Sequence, residues 1–202
     1  MNRVPTFLLI AVLLSGGAGA VALASPAAST ATTFVLRSPA VVDGGQLPTE
    51  YTGDGASATL PLEWSGAPAG TKSYAVIMHH MAPDKIKWYW LLYDIPASVN
   101  RLPKNVKGVG TLGNNSVNGK TEYAPPHSKG PGTKTYIYTV YALAAPPQIA
   151  VPPAEVSREV LLAAMRDLVI GSAELSVDYT RFPAPVGNLN HEGAEPRPPN
   201  DK

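Results

Sequence analysis

Histidine, tyrosine and carboxylate side chains gathered at the ends of two apolar stretches are the first chemistry this sequence offers. His79 and His80 close one apolar run, Trp88 and Tyr89 open the next, and Asp84 sits in the Pro83-Asp84-Lys85 turn between them. A third histidine, His127, follows Pro125-Pro126 in a long glycine-rich stretch, and Gly130-Pro131-Gly132 leads from that stretch into another apolar run. Imidazole and phenol can hydrogen-bond an oxyanion without the repulsion a carboxylate brings, and successive turn amides can form a concave anion nest. His79, His80, Trp88, Tyr89, Asp84, His127 and Pro131 are therefore the candidate ligand-binding residues. Neighbouring residues of a strand point to opposite faces, so only one of His79 and His80 enters a shared pocket unless the strand bends at Met81. Alternatively, one histidine is a hydrogen-bonded core residue and the others lie on the surface, and the loop glycines form plain hairpin turns.

Other chemistries lack their parts. The histidine spacings match no standard zinc arrangement, so no metal site is expected. Ser65 and Ser73 stand in no Gly-x-Ser-x-Gly turn, and no nucleophile, base and orienting acid assemble by spacing, so no catalytic residue is assigned. Asp43, Asp54, Asp84 and Asp94 mostly lie in turn sequences, where an aspartate commonly bonds its own backbone. Gly53-Asp54-Gly55 lacks the Lys-Ser/Thr of a phosphate loop, and the glycines from Gly113 to Gly119 lack the strand and helix that frame a dinucleotide fingerprint. No cofactor is expected. With no cysteine in the chain, disulfides, thiolate nucleophiles and lipid-modified cysteines are excluded.

The elements that must position these groups are mostly strands. Residues 1–24 carry one charge, Arg3, before the apolar run 7–14 and the small-x-small triplet Ala22-Leu23-Ala24. That is the form of a secretory signal peptide, and the run is short of the roughly 20 residues a membrane span needs. Removing the leader leaves cationic and anionic residues in equal number, hence no electrostatic footprint for nucleic acid or an anionic membrane surface, and no stable membrane insertion is expected. Residues 25–33 read as a flexible lead-in, 34–182 as one domain, and 183–202 as a disordered tail of Pro, Gly, Asn and charge. Within the domain, strands are predicted over 34–36, 60–64, 72–80, 88–95, 135–143 and 173–179. In the fifth, Tyr136, Tyr138 and Val140 share a face. Ser157 caps a helix to about Leu168, which Gly171 ends. The glycine- and proline-rich residues 101–134 read as a long loop. So many strands against a single helix predict a mainly β fold, an antiparallel or mixed two-sheet sandwich with the C-terminal helix packed beside it.

The order of short motifs narrows this. Ser38-Pro39 with Asp43-Gly44-Gly45-Gln46-Leu47-Pro48, then Tyr51-Thr52-Gly53-Asp54-Gly55, then Pro61-Leu62-Glu63-Trp64-Ser65-Gly66 come first. Trp90-Leu91-Leu92-Tyr93-Asp94-Ile95-Pro96, Gly113-Asn114-Asn115, Gly130-Pro131, Tyr141-Ala142-Leu143 and Leu161-Leu162-Ala163-Ala164-Met165 follow. In this order the chain resembles the phosphatidylethanolamine-binding proteins, in particular their bacterial, Raf kinase inhibitor-like branch. The resemblance implies a two-sheet sandwich with a helix and a small surface pocket for a phosphate or phosphoryl headgroup. It also implies departures at that pocket. His79-His80-Met81-Ala82-Pro83 stands in place of an Asp-rich stretch, Tyr89 takes a histidine's position, and residues 132–136 replace a His-Arg-Tyr continuation. The expected function is non-catalytic binding of a small anion or lipid headgroup by a periplasmic or secreted protein. Two other readings remain open: an exported module binding a protein partner, as a protease inhibitor does, and a hydrolase pairing His79 or His80 with Asp84.

Overall fold

A computed structural model describes residues 33–129 and 132–181. The leader, most of the lead-in, Gly130, Pro131, residue 182 and the tail lie outside them. Among the described residues nine strands and one α-helix occur in the order β1 (Val35–Arg37), β2 (Gly45–Gln46), β3 (Leu62–Ser65), β4 (Ser73–Met81), β5 (Ile86–Pro96), β6 (Arg101–Leu102), β7 (Thr111–Leu112), β8 (Thr133–Leu143), α1 (Arg158–Met165) and β9 (Val169–Thr180).

Two sheets form the expected sandwich. The larger has strand order β2-β9-β8-β4-β5-β7 and the smaller β1-β3-β6. Every pairing is antiparallel except that of β2 with β9. Leu36, Leu62 and Trp64 of the small sheet share a core with Val76, Met78, Trp90, Tyr138, Val140 and Val177 of the large one. The opposite face of the large sheet, with Ala75, Ile77, Leu91 and Tyr93, lies under Leu161 and Met165 of α1. Burying each of those two helix residues contributes roughly 1.5–3 kcal/mol. Because β4 is covered on both faces, Ser73 through Met78 are all buried, which is why its sequence runs apolar instead of alternating.

The differences from the sequence expectation have local causes. The strand expected over 60–64 begins only at Leu62, with Pro61 just before its start, since a proline has no N–H for the ladder. The helix is shorter than expected. Ser157 caps it, its Oγ accepting from Val160 N at 3.3 Å, but the helix ends at Met165 and β9 is already under way at Gly171. Gly171 is no helix stop: a Cβ there would fall 2.7 Å from Pro68 Cγ, so the strand needs glycine to pass that close. The stretch read as one long loop contains β6 and β7 and is ordered by Asn115. The Asn115 Oδ1 accepts from Val117 N and Asn118 N at 2.9 Å each, and its Nδ2 donates to Lys120 O at 3.0 Å. Those turn amides are therefore engaged within the loop itself. Among the described residues no helix is long and apolar enough to cross a membrane.

Candidate functional site

At one end of the large sheet, the β4–β5 hairpin, the start of β8 and the loop before β8 enclose a cleft of about 560 Å³. Its position follows from the strand register. β4 and β5 pair His80 with Lys87, His79 with Trp88 and Met78 with Trp90, so Tyr89 is an extra residue with no partner opposite. This bulge turns two consecutive residues, Tyr89 and Trp90, to the inner face, while Trp88 goes to the outer one. His80, two residues past the inner Met78, also points inward. Across β8 the same face carries Lys134 and Tyr136, both lining the cleft.

The cleft therefore brings together His80, Asp84, Tyr89 and His127 of the sequence candidates. It does not hold His79 or Trp88. Strand alternation places His79 on the outer face, where burial and then the Arg158 guanidinium push its imidazole below the usual range. The Trp88 indole Nε1 donates to Asn114 O and Oδ1 at 3.1 Å each, and its ring packs in the layer beneath α1. Pro131 lies outside the described residues.

Aromatic rings form the floor. Tyr136 is fully buried, with its ring centroid 5.1 Å from that of Tyr89, edge to face, and 5.3 Å from that of His80. Burial pushes the phenols of Tyr89 and Tyr136 upward, so both are neutral hydroxyls at physiological pH. Tyr136 Oη and Ser128 Oγ are buried at the cleft and have no hydrogen-bond partner among the described residues. Around them stand Lys85, Lys87, Lys129 and Lys134, against Asp84 as the one lining carboxylate among the described residues. None of these lysines makes an ion pair among the described residues.

Both cleft histidines are tethered. His80 Nδ1 lies 2.8 Å from the Thr135 carbonyl oxygen, reaching β8 just beyond the last β4–β8 rung at His79 and Ile137. His127 Nε2 lies 3.0 Å from Asp54 Oδ1. Asp54 also receives Arg181 Nε at 3.0 Å and the Tyr179 hydroxyl, and these contacts, Tyr179 foremost, hold its carboxyl below the usual range. Gly53 N donates to Pro126 O at 2.8 Å, and a Cβ on Gly53 would fall 2.7 Å from His127 Cβ, so the imidazole is seated against bare backbone.

Asp54, Tyr136, Ser128 and the four lysines are the residues that sequence reasoning missed. The alternation of β8 places Tyr136 correctly on the Tyr138 and Val140 face, but which strand end that face meets depends on register. Asp54 does serve its turn, with its N–H donating to Thr52 Oγ1 at 3.2 Å, while its carboxylate works elsewhere. Asp84 makes no hydrogen bond to a histidine among the described residues, and no His, Cys, Asp and Glu cluster of metal-binding size occurs among them.

Comparison with known proteins places this architecture. The family model described as phosphatidylethanolamine-binding protein matches residues 37–180. A UPF0098 protein of Methanothermobacter thermautotrophicus is 34% identical over 151 residues, covering 72% of this chain and 98% of the relative. A UPF0098 protein of Mycobacterium tuberculosis is 30% identical over 164 residues, 80% of each chain. Among solved structures, a phosphatidylethanolamine-binding protein homolog of Chlamydia trachomatis superposes with a TM-score of 0.69 at 26% identity, covering 75% of this chain and 99% of its own. Escherichia coli YbcL, a member of the mammalian PEBP family, gives 0.65 at 26% identity, with 74% and 99% covered. With 144 consecutive residues matched and both sheets and the helix in place, the chain belongs to the phosphatidylethanolamine-binding protein family.

Proposed function

We propose that this protein binds a small oxyanion, free or as part of a headgroup, in the cleft lined by His80, Tyr89, His127 and Tyr136. The observation that carries the reading is a cleft ringed by four lysines that make no ion pair among the described residues, with the buried Tyr136 Oη and Ser128 Oγ, which have no hydrogen-bond partner among those residues either. A buried polar atom without a partner is costly, and an oxyanion satisfies it while the lysines neutralise the charge. Four lysines against one carboxylate is a local cationic excess in a domain whose charges otherwise nearly balance. Their exposure makes the attraction salt-sensitive.

The leader-like residues 1–24 support export, so the ligand would be met in the periplasm or outside the cell. The protein-partner reading gains nothing from Trp88, whose indole is tied to Asn114 instead of being exposed. Calorimetric titration of the folded chain with phosphate is the test. Saturable binding that weakens in raised salt and in Lys134→Met is expected, and absence of binding to folded protein would refute the reading.

A further inference from the structure

We infer that the cleft selects oxyanions carrying a proton of their own and discriminates against fully deprotonated oxyanions and phosphodiesters. The inference rests on the anion-binding reading and adds which anion is taken. A carbonyl oxygen only accepts, so His80 Nδ1, at 2.8 Å from Thr135 O, must carry a hydrogen. Asp54 is an ionised carboxylate already receiving Tyr179 and Arg181, so His127 Nε2, at 3.0 Å, must carry one too. A neutral imidazole has a single N–H. What His80 can still offer a ligand is therefore the lone pair of Nε2, and what His127 can offer is that of Nδ1. The two imidazoles flank the cleft as acceptors.

Between hydrogen phosphate and sulfate, both dianions at about pH 8, the lysines are indifferent, because they attract equal charges equally. The histidines are not. Hydrogen phosphate brings a P–OH that an imidazole lone pair can accept, whereas sulfate, with the same shape and the same two charges at about pH 8, presents only lone pairs to lone pairs. A phosphodiester, the form in which a phospholipid carries its headgroup, likewise has no P–OH, and neither has a phosphomonoester at about pH 8, its second pKa being about 6, while free hydrogen phosphate does. Tyr136 Oη and Ser128 Oγ adapt to either, since a hydroxyl both donates and accepts. Asp54 acts as a positioning residue: with the bare backbone of Gly53 it fixes the tautomer and seat of His127.

The test titrates the full chain, at fixed ionic strength and about pH 8, with sodium sulfate, sodium phosphate and glycerophosphoethanolamine, a soluble phosphodiester. Phosphate is expected to bind at least about tenfold more tightly than sulfate, its equal in charge, and more tightly than the diester, which carries less charge as well as no P–OH. His127→Ala should narrow the phosphate-to-sulfate ratio. Nitrogen-15 imidazole shifts should show His80 as the Nδ1–H tautomer and His127 as the Nε2–H tautomer. Equal affinities for phosphate and sulfate at about pH 8, a diester bound as tightly as phosphate, or the opposite tautomers would overturn the selectivity while leaving anion binding intact. No binding of any probe to the folded chain would overturn both.

Discussion

At the Tyr136 hydroxyl the proposed ligand site and the stability of the fold make opposite demands. Its ring is fully buried and packs against His80, Tyr89 and Tyr179, while its Oη has no partner among the described residues. Leaving a buried hydroxyl unpaired costs roughly 1–3 kcal/mol, and Tyr→Phe removes the hydroxyl without removing the ring. Tyr136→Phe is therefore expected to raise the ligand-free stability by about 1 kcal/mol in urea unfolding and to weaken phosphate binding several-fold. A variant less stable than the parent would show that the hydroxyl is hydrogen-bonded in solution. Residue type and proximity made His80, Tyr89, Asp84 and His127 legible in the sequence, because imidazoles and phenols at strand ends are unusual enough to notice. Asp54 was not legible in its real role. It reads as a turn aspartate, and nothing local shows that its carboxylate meets a histidine 73 residues away.

At the scale of elements, alternation and end signals carried most of the fold, and they failed where the backbone departs from ideal geometry. The runs that became β4, β5 and β8 were recognisable as strands, and Ser157 as the cap of α1, since each depends on a few adjacent residues. The bulge at Tyr89 was not, because an unpaired extra residue is a property of two strands together. That bulge decides that Tyr89 and not Trp88 faces the cleft. Gly171 misled for a related reason: a glycine needed for close passage past Pro68 looks in sequence like one that stops a helix. The cap itself is a test of how separable the two faces of the large sheet are. Ser157→Ala removes the acceptor for Val160 N and is expected to cost about 1 kcal/mol of stability, read from the urea midpoint. Phosphate affinity should not change, since α1 packs on the face opposite the cleft. A parallel loss of affinity would mean that the helix layer positions the cleft after all.

Across the whole molecule, Asp54 joins segments that the sequence keeps far apart: the turn after Tyr51, the loop bearing His127, and the end of β9 with Tyr179 and, just past the strand, Arg181. The small sheet and helix cover the two faces of the large sheet, but this end of the sandwich is closed by polar contacts converging on one carboxylate. Those contacts favour the ionised form, with the Tyr179 hydroxyl first among them, so the folded state holds the carboxyl below its ordinary value of 3.8. A group whose folded pKa is depressed contributes stability that is fully present above its unfolded pKa and lost as pH falls through the folded one. Asp54→Asn keeps the shape and removes the ionisation. Urea unfolding of parent and variant across the pH range should therefore show the parent more stable from neutral pH down to about 4, with the gap closing at lower pH as Asp54 takes up its proton. A gap that stays constant through that acid range would mean that the oxygen's geometry, and not its charge, holds the three segments together.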